Sequence, residues 1–111
     1  KKNDTEEGKM ICVIATLTLK EGKRDAYLAE LRKIIPAVRK EEGNIEYGPY
    51  TDLASGFPVQ PPVRPDVVSI VEKWESLDAL KKHMTAPHMG PYRQATKEIV
   101  QSMQIQVLSP V

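Results

Sequence analysis

The stretch "MICVIATLTL", residues 10–19, decides how the rest of the chain must be arranged. It is rich in β-branched and aliphatic residues with almost no polar break, which predicts a strand covered on both faces. A second stretch of this character, "DVVSIVEKW", occupies 66–74. Its alternation places Val68, Ile70, Glu72 and Trp74 on one face and Val67, Ser69, Val71 and Lys73 on the other, and both faces are again largely apolar.

Between these strands the period changes. From Gly22, residues Tyr27, Leu28, Leu31, Ile34, Ile35 and Val38 fall on one stripe at helical spacing, with "KRD" and "RKEE" on the remaining surface, until Gly43 ends the helix. Pro36 is expected to bend it. "NIEYGPYT", 44–51, reads as a second strand that Pro49 confines to an edge or a bulge. "LASGFPVQPPVRP", 53–65, holds four of the nine prolines and is too irregular for a tight hairpin, so a long semi-rigid loop is expected there, placed to roof a pocket or clasp a partner. After Trp74, Ser76 caps a short helix through about Met84, with Asp78 in its first turn. A further helix is expected from about Pro87 or His88 to Ser102, burying Met89, Tyr92, Thr96, Ile99, Val100 and Met103, and "QIQVLSPV" closes the chain as a strand.

The resulting order, β-α-β-β-α-α-β, describes one α+β domain over 10–111: a four-stranded, mainly antiparallel sheet with its helices on one side. Helices on one side cover one face only. The other face would expose an apolar patch on the order of several hundred Å² or more, larger than a soluble monomer usually tolerates. The simplest cover is a second copy, which predicts a homodimer with two sheets packed face to face.

Composition excludes several function classes. Sixteen Lys+Arg against fifteen Asp+Glu leave a formal charge of +1, so no basic surplus points to nucleic acid or to an anionic membrane. No apolar run is long enough to span a bilayer, and the single cysteine, Cys12, cannot form an internal disulfide and reads as a small core residue. These features point to a cytoplasmic protein. The first nine residues, "KKNDTEEGK", read as a disordered tail or expression remnant. His83 and His88 lack the further ligands a zinc site needs, and there is no Gly-rich phosphate loop. An RNA-binding domain of related strand order would need aromatics on its central strands, and strand 1 has none.

In "EKWESLDALKKHMTAPH" (72–88), "VIATLTLKEGK" (13–23) and "EEGNIEY" (41–47), the chain resembles the antibiotic biosynthesis monooxygenase (ABM) domain family, including its bacterial quinol-monooxygenase-like members, over roughly residues 10–109. The resemblance implies a ferredoxin-like fold and a dimeric α+β barrel. In enzymatic members it implies oxygen insertion into an electron-rich aromatic without metal, flavin or other cofactor. Haem-degrading enzymes and a branch acting on a quorum-sensing signal also belong to this family. In the polyketide-tailoring members, the Trp of the "WES" motif shares its pocket with an Asn four residues before it, a Tyr six after it and an Arg on the last helix. Trp74 and Arg93 match that pattern, whereas Ile70 stands in place of the Asn and Leu80 in place of the Tyr. The haem-degrading branch uses an Asn on its first strand, and "MICVIATLTL" has none.

A reaction whose substrate supplies the electrons needs a base, an apolar pocket that admits O₂, and donors for developing negative charge. His88, at a helix start where the dipole disfavours an imidazolium, is the candidate base. Glu72 is a second base or a partner for a histidine, and Arg93 is the candidate oxyanion donor. Trp74 is expected to form a flat wall for an aromatic substrate. His83, Tyr47, Ile70 and Tyr92 complete the candidate binding residues. Each also has a plain structural reading: core for Trp74, ion pairing for Glu72 and Arg93, a semi-buried helix position for His83, a helix-start hydrogen bond for His88. Two function classes stay open. One is a cofactor-independent monooxygenase of a quinol- or anthrol-like molecule; the other is a non-catalytic small-molecule-binding or sensing dimer, or an isomerase or degrading enzyme for a small signalling metabolite.

Overall fold

The apolar run at the start becomes strand β1, Ile11–Leu19, in a computed structural model that describes residues 9–111. The tail expected over 1–9 lies, apart from Lys9, outside the described residues. The odd-numbered side chains of β1, from Ile11 to Leu19, are buried, and the even-numbered ones, Cys12, Ile14, Thr16 and Thr18, are half-buried. Helix α1 spans Arg24–Arg39, strand β2 Asn44–Tyr50, strand β3 Val67–Trp74, helix α2 Leu77–Met84, helix α3 Met89–Thr96 and strand β4 Val100–Leu108. The sheet order is β2-β3-β1-β4, and each neighbouring pair is antiparallel. This is the ferredoxin-like α+β arrangement, βαββααβ, in which the first crossover leaves a gap that β3 fills and the second passes over β1.

Register explains which residues meet. Val13 lies opposite Glu72 and Ala15 opposite Ile70 on β3, while Leu17 faces Met103 and Ala15 faces Ile105 on β4. Directly opposed residues share a sheet face. Glu72 and Ile70 therefore point toward the helices together with Tyr47 of β2, which opposes Glu72. Helix α1 supplies the largest apolar cover, burying Tyr27, Leu31, Ile34, Ile35 and Val38, the stripe expected from its period. It runs on through Pro36, whose ring sits on the exposed side, where the displaced carbonyl of the preceding turn meets water. Pro49 lies in β2, an edge strand, where its missing N–H interrupts no ladder on the outer side.

The C-terminal third departs from expectation. Helix α3 stops at Thr96 instead of Ser102, and β4 begins at Val100. Ile99, Val100 and Met103 fit a helical stripe, but Met103, Ile105 and Val107 also fit an alternating strand, and pairing with β1 settles the competition. The backbone N–H of Lys20 donates to the Ile99 carbonyl at 2.9 Å, and Val100 pairs with Leu19 across a register shift. Val100 thus enters the sheet, for which a β-branched residue is suited, and Ile99 ends the turn that leads into it.

The loop between β2 and β3 is tied by its own side chains. Arg64 donates from Nε to Asp52 Oδ2 at 2.8 Å and from Nη2 to Oδ1 at 3.0 Å, and its backbone N–H also reaches Oδ2. These donors, the Arg64 side chain foremost, hold the Asp52 carboxyl down at about 2. Leu53, Phe57 and Val59 nevertheless remain exposed on the loop.

A single close approach sets α2. Gly43 has φ 86°, and a Cβ there would stand 2.6 Å from the Cβ of Ala79 in α2. Its carbonyl accepts the backbone N–H of Glu75 at 2.8 Å, holding the segment that leads into α2 against the start of β2. Both the left-handed conformation and the contact require glycine. Gly43→Ala should therefore cost roughly 2–4 kcal/mol, from strained φ plus steric overlap. Urea unfolding should show this as a lower midpoint at unchanged slope.

Candidate functional site

Between the sheet and the two short helices lies a cavity of about 350 Å³, within the size range of small-molecule sites. Its floor is Val13, Ala15 and Leu17 of β1 with Ile70 of β3, and its far wall is Met103 and Ile105 of β4. Leu80 and Met84 of α2 and Met89 of α3 close the helix side. Polar groups gather toward β2 and β3, where Tyr47, Glu72 and His83 reach the cavity.

His83 is the centre of that polar end. Ser76 starts α2 by accepting the Ala79 N–H at 3.1 Å, and three residues on from Leu80 the helix turns His83 inward, 4% exposed. Its ring packs on Trp74 with centroids 4.8 Å apart and meets Tyr47 edge-on at 5.6 Å. Nδ1 lies 3.0 and 3.2 Å from the two carboxylate oxygens of Glu41. An ionised carboxylate only accepts, so Nδ1 carries a proton and, in the neutral ring, Nε2 holds the lone pair.

Glu41 stands in the turn after α1, its backbone N–H donating to the Val38 carbonyl and its own carbonyl accepting from Asn44. It takes a second imidazole as well: Nε2 of His88 is 2.5 Å from Glu41 Oε2. One carboxylate thus joins the only two histidines of the chain.

Glu72 is 6% exposed and accepts the Trp74 indole N–H on Oε1 at 2.9 Å. Burial raises its pKa, and the indole donor and nearby His83 only partly offset that rise. Burial likewise pushes the phenols of Tyr47, Tyr27 and Tyr92 up, so all three are neutral donors at ordinary pH. The hydroxyls of Tyr27 on α1 and Tyr92 on α3 are hydrogen-bonded to each other. Arg93 lines the cavity and donates from Nη2 to the Met84 carbonyl at 2.7 Å, closing the end of α2.

Of the residues singled out from sequence, Glu72, Arg93, His83, Tyr47, Ile70 and Tyr92 line this one cavity. Two do not. Trp74 is completely buried, sealed behind the His83 ring, so it backs the cavity instead of presenting a wall to it. His88, which precedes α3 without a side-chain cap, points to Glu41 and is not part of the lining. No residue of the 53–65 loop lines the cavity either. Sequence reasoning missed Glu41. It sits in a run of charged residues at a helix end, and only the quoted "EEGNIEY" stretch carried it.

Residues 10–95 match the antibiotic biosynthesis monooxygenase family. Over 103 residues the chain is 40% identical to the probable quinol monooxygenase YgiN of Escherichia coli K12, a match covering 91% of this chain and 98% of that protein. Among solved structures, Rv0793 from Mycobacterium tuberculosis superposes with a TM-score of 0.75 at 27% identity, covering 93% of this chain and 96% of that one. SO0527 from Shewanella oneidensis gives 0.76, also at 27% identity, covering 93% and 92%. The chain belongs to the antibiotic biosynthesis monooxygenase family.

Proposed function

We propose that the protein is a cofactor-independent monooxygenase that oxidises a small quinol- or anthrol-like aromatic with O₂, and that it works as a homodimer. The observation that carries this reading is the split character of the cavity. One end offers a buried imidazole backed by a carboxylate, a buried carboxyl and a neutral phenol; the other is lined by aliphatic and methionine side chains. The polar end suits removal of a phenolic proton, and the apolar remainder suits a flat ring and O₂.

In this reading the base is His83, whose Nε2 lone pair is left free by the Nδ1–Glu41 bond. It takes the hydroxyl proton, and the resulting quinolate gives one electron to O₂. The two radicals join at a ring carbon to form a peroxide. Protonation of the peroxide, loss of the hydrogen on that carbon and cleavage of the O–O bond leave a new carbonyl and release water. Overall the ring loses four electrons, one oxygen atom stays on carbon and the other leaves as water. Tyr47 and the remaining guanidinium N–H groups of Arg93 are the donors for the anion. YgiN is a probable quinol monooxygenase, which supports a substrate of this class.

A binding-only role is favoured by one feature, the aliphatic Ile70 and Leu80 on the cavity wall, which offer the substrate no polar contact. Oxygen uptake with a panel of hydroquinones and anthrols separates the two, since a binder leaves the uptake at the uncatalysed rate. Given uptake, His83→Gln should lower turnover by about 10²-fold or more, the usual scale for a lost general base. Turnover at the wild-type rate would remove His83 from that role.

Glu72 yields a prediction on stability. A carboxyl whose pKa is raised in the folded state binds protons more tightly there than in the unfolded chain. Folding stability therefore falls as pH climbs from the ordinary glutamate value through the raised one. Glu72→Gln keeps an oxygen for the Trp74 N–H and does not titrate. The variant should gain on the wild type in melting temperature from pH 4 to pH 8, and a constant difference across that range would contradict the shift.

The dimer is supported by the face of the sheet away from the helices, where Cys12, Ile14, Thr16, Ser69 and Val71 are half-buried with none of the described helices over them. A twofold-related sheet would cover them, and the exposed apolar residues of the 53–65 loop would then be available to clasp the partner. Light scattering at micromolar concentration should give about twice the chain mass; a well-behaved monomer there rules the assembly out.

A further inference from the structure

We infer that His88 and Glu41 form the route by which His83 exchanges protonic charge with solvent, Glu41 acting as a positioning residue held between the two imidazoles. The inference rests on the reading of His83 as the base. Its grounds are the chain of contacts and its direction. Nδ1 of His83 meets Glu41 Oε2 at 3.0 Å, and the same oxygen meets Nε2 of His88 at 2.5 Å. Side-chain exposure rises along that path from 5% at His83 through 13% at Glu41 to 24% at His88. The three groups run from the cavity wall outward.

Charge balance shows what the arrangement does. One carboxylate neutralises one imidazolium, so a proton on either ring is stabilised while both rings charged together leave one positive charge uncompensated in a partly buried place. With His88 charged and His83 neutral, the cluster is balanced. When Nε2 of His83 takes the substrate's proton, the balance is restored if His88 gives its Nδ1 proton to water, keeping Nε2–H on Glu41. One unit of positive charge has then moved from cavity to solvent without a proton crossing the carboxylate. Apart from the quinolate just formed, to which the proton would otherwise return, the surroundings supply no other compensating anion at low cost. Glu72 on β3 is buried and pushed toward its neutral form, Tyr47 on β2 is a neutral phenol, and the Arg93 guanidinium on α3 is already on the Met84 carbonyl.

The consequence for the reaction is persistence of the quinolate. A proton on His83 with an excess of positive charge around it would return to the substrate before O₂ arrived. Loss of the His88 proton stabilises the His83 imidazolium beside Glu41 and keeps the anion available. The reverse sequence later delivers a proton to the peroxide.

Because the chain has only two histidines, ¹⁵N-labelled full-length protein gives a resolved view of both rings. In the wild type each imidazole should titrate in two steps, the second ring responding as the first changes charge. Glu41→Gln should reduce both curves to single independent steps, and His88→Gln should do so for His83 alone, which guards against a Glu41 variant that does not fold. With a quinol that the wild type turns over, His88→Gln should lower kcat about tenfold or more at unchanged KM, and added imidazole should restore it. Independent single-step titrations in the wild type, or a fully active His88→Gln enzyme, overturn the exchange route. Absence of oxygen uptake by the wild type with the whole quinol panel would instead overturn the assignment of His83 as base, while two-step titration would still show the coupling of the rings.

Discussion

The polar end of the cavity depends on how closely α2 can approach the start of β2. Gly43 allows the approach because nothing but a hydrogen stands between its Cα and Ala79. From that contact the positions of three polar side chains follow. Glu41 is two residues before the glycine, in the turn that leaves α1, and is therefore brought beside α2. His83 is one helical turn after Ala79, so it lies on the same face and meets both Glu41 and Trp74. His88 follows after the short break at the end of α2, close enough to reach the same carboxylate. A wider spacing between α2 and β2 would separate the histidines from their acceptor, and neither ring would retain a fixed tautomer.

Packing and chemistry pull in opposite directions at Glu72. Every other residue around it on the inner face, Val13, Ile70 and Trp74 among them, serves a hydrophobic core. A carboxyl in that setting is disfavoured when ionised, and a single indole N–H does not compensate for the lost water. An apolar side chain of similar volume would pack there without this penalty. The retained carboxyl is thus explained by what it faces, a cavity that also holds His83 and Tyr47, better than by the stability of the sheet. The part-buried Tyr27–Tyr92 hydroxyl pair satisfies two phenols that Phe side chains would spare, and of the two only Tyr92 lines the cavity.

Much of the fold was legible because its signals are local. The stripe of α1, the Ser76 cap, the edge position of Pro49 and the alternation of 66–74 each depend on a few neighbouring residues, and the structure follows them. The end of α3 was not, since Ile99, Val100 and Met103 continue a helical stripe while Met103, Ile105 and Val107 alternate as a strand, and only pairing with β1, some 80 positions away in sequence, selects the strand. The site divides in the same way. Strand alternation put Ile70 and Glu72 on one face with Trp74, but that this face is the inner one, and that Tyr47 joins it, follows from the register with β1 and β2. Which histidine faces the cavity could not, because it depends on the angle at which α2 docks. The role of Glu41 was hidden for a like reason: its partners lie 42 and 47 residues further on, and in the sequence it is one charge among several.

The two faces of the sheet now carry different tasks. The helix-covered face spends part of its potential core on a cavity, leaving Met103 and Val107 of β4 exposed where a continuous core would cover them. The opposite face has side chains suited to burial, such as Ile14 and Val71, with no element over it among the described residues. A small domain with an excavated core has little apolar burial to spare. Packing the free face against a second sheet would restore part of what the cavity removes, without placing anything over the helices that carry His83 and Arg93. The open face and the interior cavity are thus linked by one constraint: among the described residues the three helices all lie on one side of the sheet, where they both build the core and enclose the cavity.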